Sequence, residues 1–280
     1  MVNHTVASLW RYPVKSMAGE ELDVVDMTAR GLTGDRAYAL VDTTSSKVGS
    51  AKNVKRFGNL LKCDARFTAT PQSDGPLPPV RITWPDGVTT RSDDPEIETF
   101  LTKSFGDGVT LMSTAPDGLI LEFAAGTLGG KFAETTQLPV SSGAPKGTLF
   151  NYASVHLVTT STLRELAAAH PQGQAAMQRF RPNIVVDSVD EEGFPENDWI
   201  GKTVAIGPDV QLRVSIPCPR CVITTLPRTD LPQDSSMLRT IAQANTVDMG
   251  DFGNLPCVGV YADVIKPGRV RRGDVIRVLS

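Results

Sequence analysis

Hydrophobic and polar positions alternate along this chain over short stretches, and only a few segments repeat with a helical period. Val6 to Tyr12, Leu22 to Met27 and Arg36 to Val41 are rich in β-formers and separated by Gly-containing segments, which predicts short strands joined by turns. Gly31-Leu32-Thr33-Gly34-Asp35 reads as a turn just before Arg36, Thr70 to Pro79 as an exposed loop, and Arg81 to Trp84 as one more strand. Asp94-Pro95-Glu96 predicts a helix start with Asp94 as N-cap. Ile97, Phe100, Leu101 and Phe105 form its apolar face, and Gly106 ends it. The weakly patterned stretch 126–147 reads as a connection between two halves.

Beyond it, strands are predicted at Val155 to Val158, Ile184 to Val186, Thr203 to Ile206, Val210 to Ile216 and Val222 to Leu226. Thr162-x-x-Glu165 reads as a capping box for a helix through Ala169 that Pro171 stops. A second helical piece ends near Phe180, and another helix surrounds Met237, Leu238 and Ile241. Cys257 to Ile265 and Val270 to Leu279 predict a closing hairpin, with Gly273-Asp274 in or near a bulge. Many short strands and few helices predict a mostly β (α+β) fold with a barrel-like C-terminal half.

Composition narrows the classes. A chain of 280 residues holds one large domain or two modest ones. A net charge of −3 argues against nucleic-acid binding, which needs a basic surplus to displace counterions. No apolar run is long enough to span a bilayer, and MVNHTVASLWRYPVKS is not a secretory signal. Four cysteines (Cys63, Cys218, Cys221, Cys257) do not make a disulfide framework in a chain this long, so the expected home is a reducing cytoplasm, with no membrane.

The sharpest local feature is Pro217-Cys218-Pro219-Arg220-Cys221, where the neighbouring guanidinium favours thiolate, the form that ligates metals or attacks. A C-x-x-C is also half of a structural zinc site, although no second pair exists and His4, His156 and His170 are scattered. It can also be a dithiol redox pair, although here it precedes a strand rather than opening a helix in a βαβ unit, or two packing cysteines. Phe180-Arg181-Pro182-Asn183, Tyr12-Pro13-Val14-Lys15-Ser16 and Gly34-Asp35-Arg36 bring cations to strand ends, where Lys15, Arg36 and Arg181 would match a phosphate dianion. Read singly, each is a solvated loop charge. His156, in a predicted strand, reads as a core histidine. No P-loop, Rossmann glycine pattern, H-E-x-x-H or iron–sulfur cysteine spacing occurs.

Taken in order, YPVKS, GDRAYALVD, FRPNIVVD, IGKTVAIG, CPRCVITT and GVYADVIKPGRVRRGDVIRVL resemble the MOSC family with its N-terminal β-barrel extension. The matches span nearly the whole chain, and the resemblance is greatest to amidoxime-reducing components and bacterial reductases of N-hydroxylated compounds. It implies an N-terminal barrel-like domain at residues 1–120 and a MOSC barrel at 121–280, with a molybdenum–molybdopterin cofactor in the cleft between them. It also implies metal ligation and a catalytic role for Cys221, and cofactor contacts from Lys15, Ser16, Arg36, Arg181, Asn183, Pro219 and Arg220. Ser154, in Tyr152-Ala153-Ser154, is carried over more loosely, and relatives often have Ser where this chain has Pro219. The implied reaction reduces an N-hydroxylated small molecule to the amine form and water. Its electrons come from a separate reductase, ferredoxin or cytochrome, because the chain ends at Ser280 without a ferredoxin-like domain and without iron–sulfur ligands. Alternatives within the family are a sulfur carrier or a cofactor-maturation protein, and outside it a cofactor store or a cofactor-free β protein.

Overall fold

The computed structural model describes residues 4–123 and 136–279. Its centre is a closed barrel of seven strands. In spatial order these are Val155–Thr159, Ile184–Asp187, His4–Arg11, Val275–Leu279, Thr203–Ile206, Val210–Pro219 and Asn254–Lys266. The last pairs antiparallel with Val155–Thr159 and so closes the ring. Closure gives each of the seven strands a barrel neighbour on both sides, and two short strands, Glu20–Leu22 and Thr246–Asp248, extend the sheet outside the ring. Every second residue points inward, and Val155, Leu157, Ile184, Val186, Val204, Ile206, Leu212, Val214, Val260 and Ala262 fill the interior. In His4–Arg11 the inward residues Val6 and Leu9 are three apart, which strict alternation forbids. A register shift against Ile184–Asp187 between Val6 and Ser8 absorbs the extra residue.

The first stave of this barrel comes from the chain's N-terminus, and the residues after it build a second packed region. A five-stranded sheet runs Val109–Met112, Ala39–Asp42, Lys47–Val48, Ile120–Phe123, Thr136–Pro139. A three-stranded sheet, Asp64–Phe67, Val80–Thr83 and Thr89–Arg91, lies with it around Met17, Leu40, Leu60, Ile82, Trp84 and Leu101. The fold is therefore mostly β, with four α-helices among the described residues: Val54–Phe57, Ile97–Phe105, Thr160–Ala169 and Met237–Ala244.

Several expectations shift. The helix predicted from Asp94 starts at Ile97. Asp94 instead accepts from the Glu96 N–H (2.9 Å) in the turn before it. The second helix is capped at Thr159, whose hydroxyl accepts from Thr162 N (3.1 Å), so Thr162 is the capped residue and not the cap. The buried Glu196 carboxyl draws both hydroxyls to itself, Thr159 at 2.6 Å and Thr162 at 2.7 Å. The run Val222–Thr225 is a 3₁₀ turn and not a strand. Thr225 Oγ1 donates to Val222 O (2.8 Å) and the Arg228 guanidinium to the Ile223 and Leu226 carbonyls, so tertiary partners override a β-branched propensity.

The closing hairpin is also absent. Val270 to Leu279 breaks at Gly273-Asp274 into Gly268–Arg271, which pairs with Val24–Thr28, and Val275–Leu279, which joins the barrel. Of the connection expected at 126–147, residues 126–135 lie outside the described residues; Thr136–Pro139 is a strand paired with Ile120–Phe123.

Candidate functional site

A cleft of about 190 Å³ opens where the barrel meets the second region. One wall comes from the barrel. Val210–Pro219 runs straight into Arg220 and Cys221, so the stiff Pro217-Cys218-Pro219 segment is the end of a strand that delivers both residues to the cleft. The other wall comes from loops after strands: Lys15 and Ser16 beyond His4–Arg11, Arg36 before Ala39–Asp42, Lys52 beyond Lys47–Val48, and Arg181 and Asn183 before Ile184–Asp187. Only five non-glycine residues among those described have positive φ, and three of them are Ser16 (68°), Arg36 (45°) and Arg181 (58°), all on the cleft. A left-handed backbone costs an L-residue energy, and its concentration here is the kind of stored strain that functional sites carry.

Of the residues singled out from the sequence, Lys15, Ser16, Arg36, Arg181, Asn183, Pro219, Arg220 and Cys221 line this one cleft. Ser154 does not, and is buried against Gly31. Lys15 is held by the Leu149 carbonyl and Asn151 Oδ1, both at 2.6 Å, and burial together with Lys52, Arg36 and Arg181 pushes its pKa well below the ordinary lysine range. Arg36 pairs with Asp35 and reaches the Arg181 carbonyl at 3.4 Å. Arg181 donates to Met17 O, and burial plus the Arg36 charge bring its pKa down to about 10. Asn183 accepts from His156 N (3.1 Å) and donates to Trp10 O (3.2 Å), so its amide braces two neighbouring strands.

Cysteine chemistry divides within the motif. Cys221 faces the cleft. Cys218 is fully buried one layer behind, and Arg220 Nη1 donates to its sulfur at 2.8 Å. Burial alone would push the Cys218 thiol up; the His156 and Arg220 charges, with hydrogen bonds from His156 and Tyr261, outweigh it and bring it down to about 6. Arg220 Nη2 donates to Phe180 O (2.8 Å), while its Nε–H is buried with no partner among the described residues. A guanidinium pinned at both ends with one unmet donor is set to meet something in the cleft.

Sequence reading missed Lys52. It is buried on the cleft, with its pKa brought to about 8 by desolvation against an opposing pull from Cys221. Ser50-Ala51-Lys52 carries no local pattern that marks it, and only the fold turns it inward. His156 is buried in its strand as expected and, with Tyr261, which no sequence pattern singled out, also borders the cleft. They are cross-strand partners on the cleft, their rings 5.6 Å apart, and His156 Nε2 donates to Val258 O (3.0 Å). Beside Cys221 the lining changes character to Leu121, Leu138, Ile223, Met249 and Leu255.

Among the described residues no group of three or more His, Cys, Asp or Glu side chains could hold a metal ion.

Fold and site together define a β-barrel protein with a single thiol at the junction of a cationic and an apolar wall. The chain is a MOSC-domain protein: residues 144–277 match the MOSC domain and residues 3–76 the MOSC N-terminal beta barrel domain. It is similar to mitochondrial amidoxime-reducing component 1 of Mus musculus, 25% identical over 99% of this chain and 82% of the relative. The Homo sapiens protein of the same name is 24% identical over 99% and 83%. Mitochondrial amidoxime reducing component 2 of Rattus norvegicus is 33% identical over 44% of this chain and 36% of its own length. Among solved structures, the YUAD protein of Bacillus subtilis aligns over 99% of this chain and 96% of its own, with TM-score 0.43 and 12% identity. No helix among the described residues is long and apolar enough to cross a membrane.

Proposed function

We propose that this protein is an oxidoreductase that holds a molybdenum–pterin cofactor in the cleft and reduces N-hydroxylated small molecules. The residues present suit such a group. Lys15, Lys52, Arg36, Arg181 and Arg220 converge on a space where Asp35 is paired to Arg36, which favours an anionic ligand. The cleft-lining end of the C-x-x-C supplies a soft sulfur, and the unmet Arg220 Nε–H awaits an acceptor. The observation that carries the reading is Cys221 lining one cleft with all five cations.

When bound, the cofactor supplies the two-electron cleavage of the N–O bond, giving the amine form and water with electrons from a separate donor protein. The chain's own residues do the placing. Cys221 would hold the metal, Lys15, Arg36 and Arg181 would neutralise the cofactor's phosphate, and Arg220 would donate through Nε. Asn183 ties the entry of the Ile184–Asp187 strand to His156 and Trp10 through side-chain bonds to their backbones. The apolar surface beside Cys221 excludes water from the reacting atoms.

Purified protein should contain molybdenum and pterin and should reduce benzamidoxime when given an artificial reductant. Cys221→Ala should lose the metal and the turnover together; turnover undiminished in that variant sinks the assignment. A second reading, sulfur transfer during cofactor maturation, is favoured by Cys218, because a thiol titrating at about 6 is thiolate at neutral pH. Mass spectrometry separates the two: a persulfide on a cysteine, with no benzamidoxime turnover, would select the carrier.

A further inference from the structure

We propose that Tyr12 is the positioning residue of an anion clamp, its ring carrying both the Arg36 and the Arg181 guanidinium so that together they take a phosphate monoester dianion. Both arginines lie over this one ring, their guanidinium carbons 4.5 and 4.2 Å from its centre. The ring is itself fixed at every level. Tyr12 N donates to Asp35 Oδ1 (2.8 Å), its hydroxyl donates to Pro182 O (3.0 Å), and its carbonyl accepts from Arg36 N (2.7 Å). Those three bonds tie Tyr12 to the two loops that carry the arginines. Gly19 makes room for the ring, because a Cβ there would stand 2.5 Å from Tyr12 Cδ1.

Two guanidiniums in one half-buried place repel, and a structure that brings them together needs something to hold them. Here the π-face attracts both cations, Asp35 neutralises one, and left-handed backbones at 36 and 181 aim the side chains. Each guanidinium has five N–H donors, more than the partners just named use. With Lys15 beside them, the cluster carries an excess of positive charge that one dianion offsets. A tyrosine is better suited than an aliphatic residue of similar size, since its quadrupole attracts both cations and its hydroxyl locks the ring's rotation. The inference rests on the reductase reading only in taking the phosphate to be the cofactor's.

The test uses the full chain made in cells unable to synthesise the pterin, titrated calorimetrically with inorganic phosphate. Wild type and Tyr12→Phe should bind alike, and Tyr12→Leu about tenfold more weakly with its melting temperature little changed. Wild-type protein that ignores phosphate, or Tyr12→Leu that binds it as wild type does, overturns the clamp. Should Tyr12→Leu fail to fold, the proton shifts of the two arginines in the wild type decide. The guanidinium protons of Arg36 and Arg181 should show upfield ring-current shifts by NMR, and ordinary shifts for both overturn the proposal. The two readings fail separately. If protein from a cofactor-competent host contains no molybdenum while phosphate affinity of the cofactor-free protein depends on Tyr12, the reductase alone is sunk; active protein whose Tyr12→Leu variant binds phosphate normally sinks the clamp alone.

Discussion

Cys63 and Cys257 are as thoroughly buried as Cys218, yet burial drives those two thiols up while Cys218 comes down. Cys63 packs with Leu60, Ala65 and Ile82 beneath the second region, and burial drives its thiol up to about 12. Cys257 sits with Leu255 and Val48, and burial, helped by the nearby Cys218 charge, takes it to about 12 as well. Cys218 meets the same desolvation but faces Arg220, His156 and Tyr261, and it falls to about 6. Burial raises a thiol by default; a converging set of donors and positive charge must be built to reverse it. The barrel wall behind the cleft is where such a set converges, while Cys63 and Cys257 pack as neutral thiols.

The comparison breaks most severely at Arg220. Arg220→Ala leaves a buried sulfur without its cation and the Phe180 carbonyl without its donor, so denaturant unfolding should show a loss of about 3–5 kcal/mol. The surviving Cys218 thiol should titrate upward toward its two inert counterparts. Gly259→Ala comes next. Gly259 has φ +75°, and a Cβ there would lie 2.3 Å from Leu157 O and 2.6 Å from His156 Nε2, so the variant should lose about 2–4 kcal/mol and displace His156.

A smaller effect follows from pH. The Cys218 thiol lies below its ordinary value of 9.0 in the folded state, so its contribution to stability is complete above that value and disappears as pH falls through about 6. Ultraviolet thiolate absorbance should show a step near pH 6 that Cys218→Ser abolishes, with Cys63 and Cys257 silent until far higher pH. A step near pH 6 that persists in Cys218→Ser contradicts the comparison. Smallest of all, Cys63→Ala should cost about 1 kcal/mol and leave the titration curve unchanged.

Much of the site was legible in linear form because its residues cluster at strand ends. Lys15-Ser16, Arg36, Arg181 and Arg220-Cys221 each follow or precede a strand, and charged groups there stand out against β-rich neighbours. Lys52 was not legible, since a lysine in a polar loop looks the same whether it faces solvent or a cleft. Ser154 erred in the other direction: its short motif lies beside the cleft, but its side chain turns to Gly31. Val222–Thr225 misled through propensity, its β-branched residues curling into a 3₁₀ turn because Arg228 satisfies their carbonyls.

From the sequence alone came the strand-rich architecture, the cationic loops, the C-x-x-C and the order of motifs that marks the family, because these depend on local pattern and residue type. Only the tertiary structure decided that His4–Arg11 closes a barrel built mainly from residues after 154, that Gly268–Arg271 and Val275–Leu279 part company, and that Tyr12 lies beneath two arginines from distant loops. Strand partners and stacked charges are set by which surfaces meet after the chain collapses, and separations of more than a hundred residues leave no trace in local periodicity.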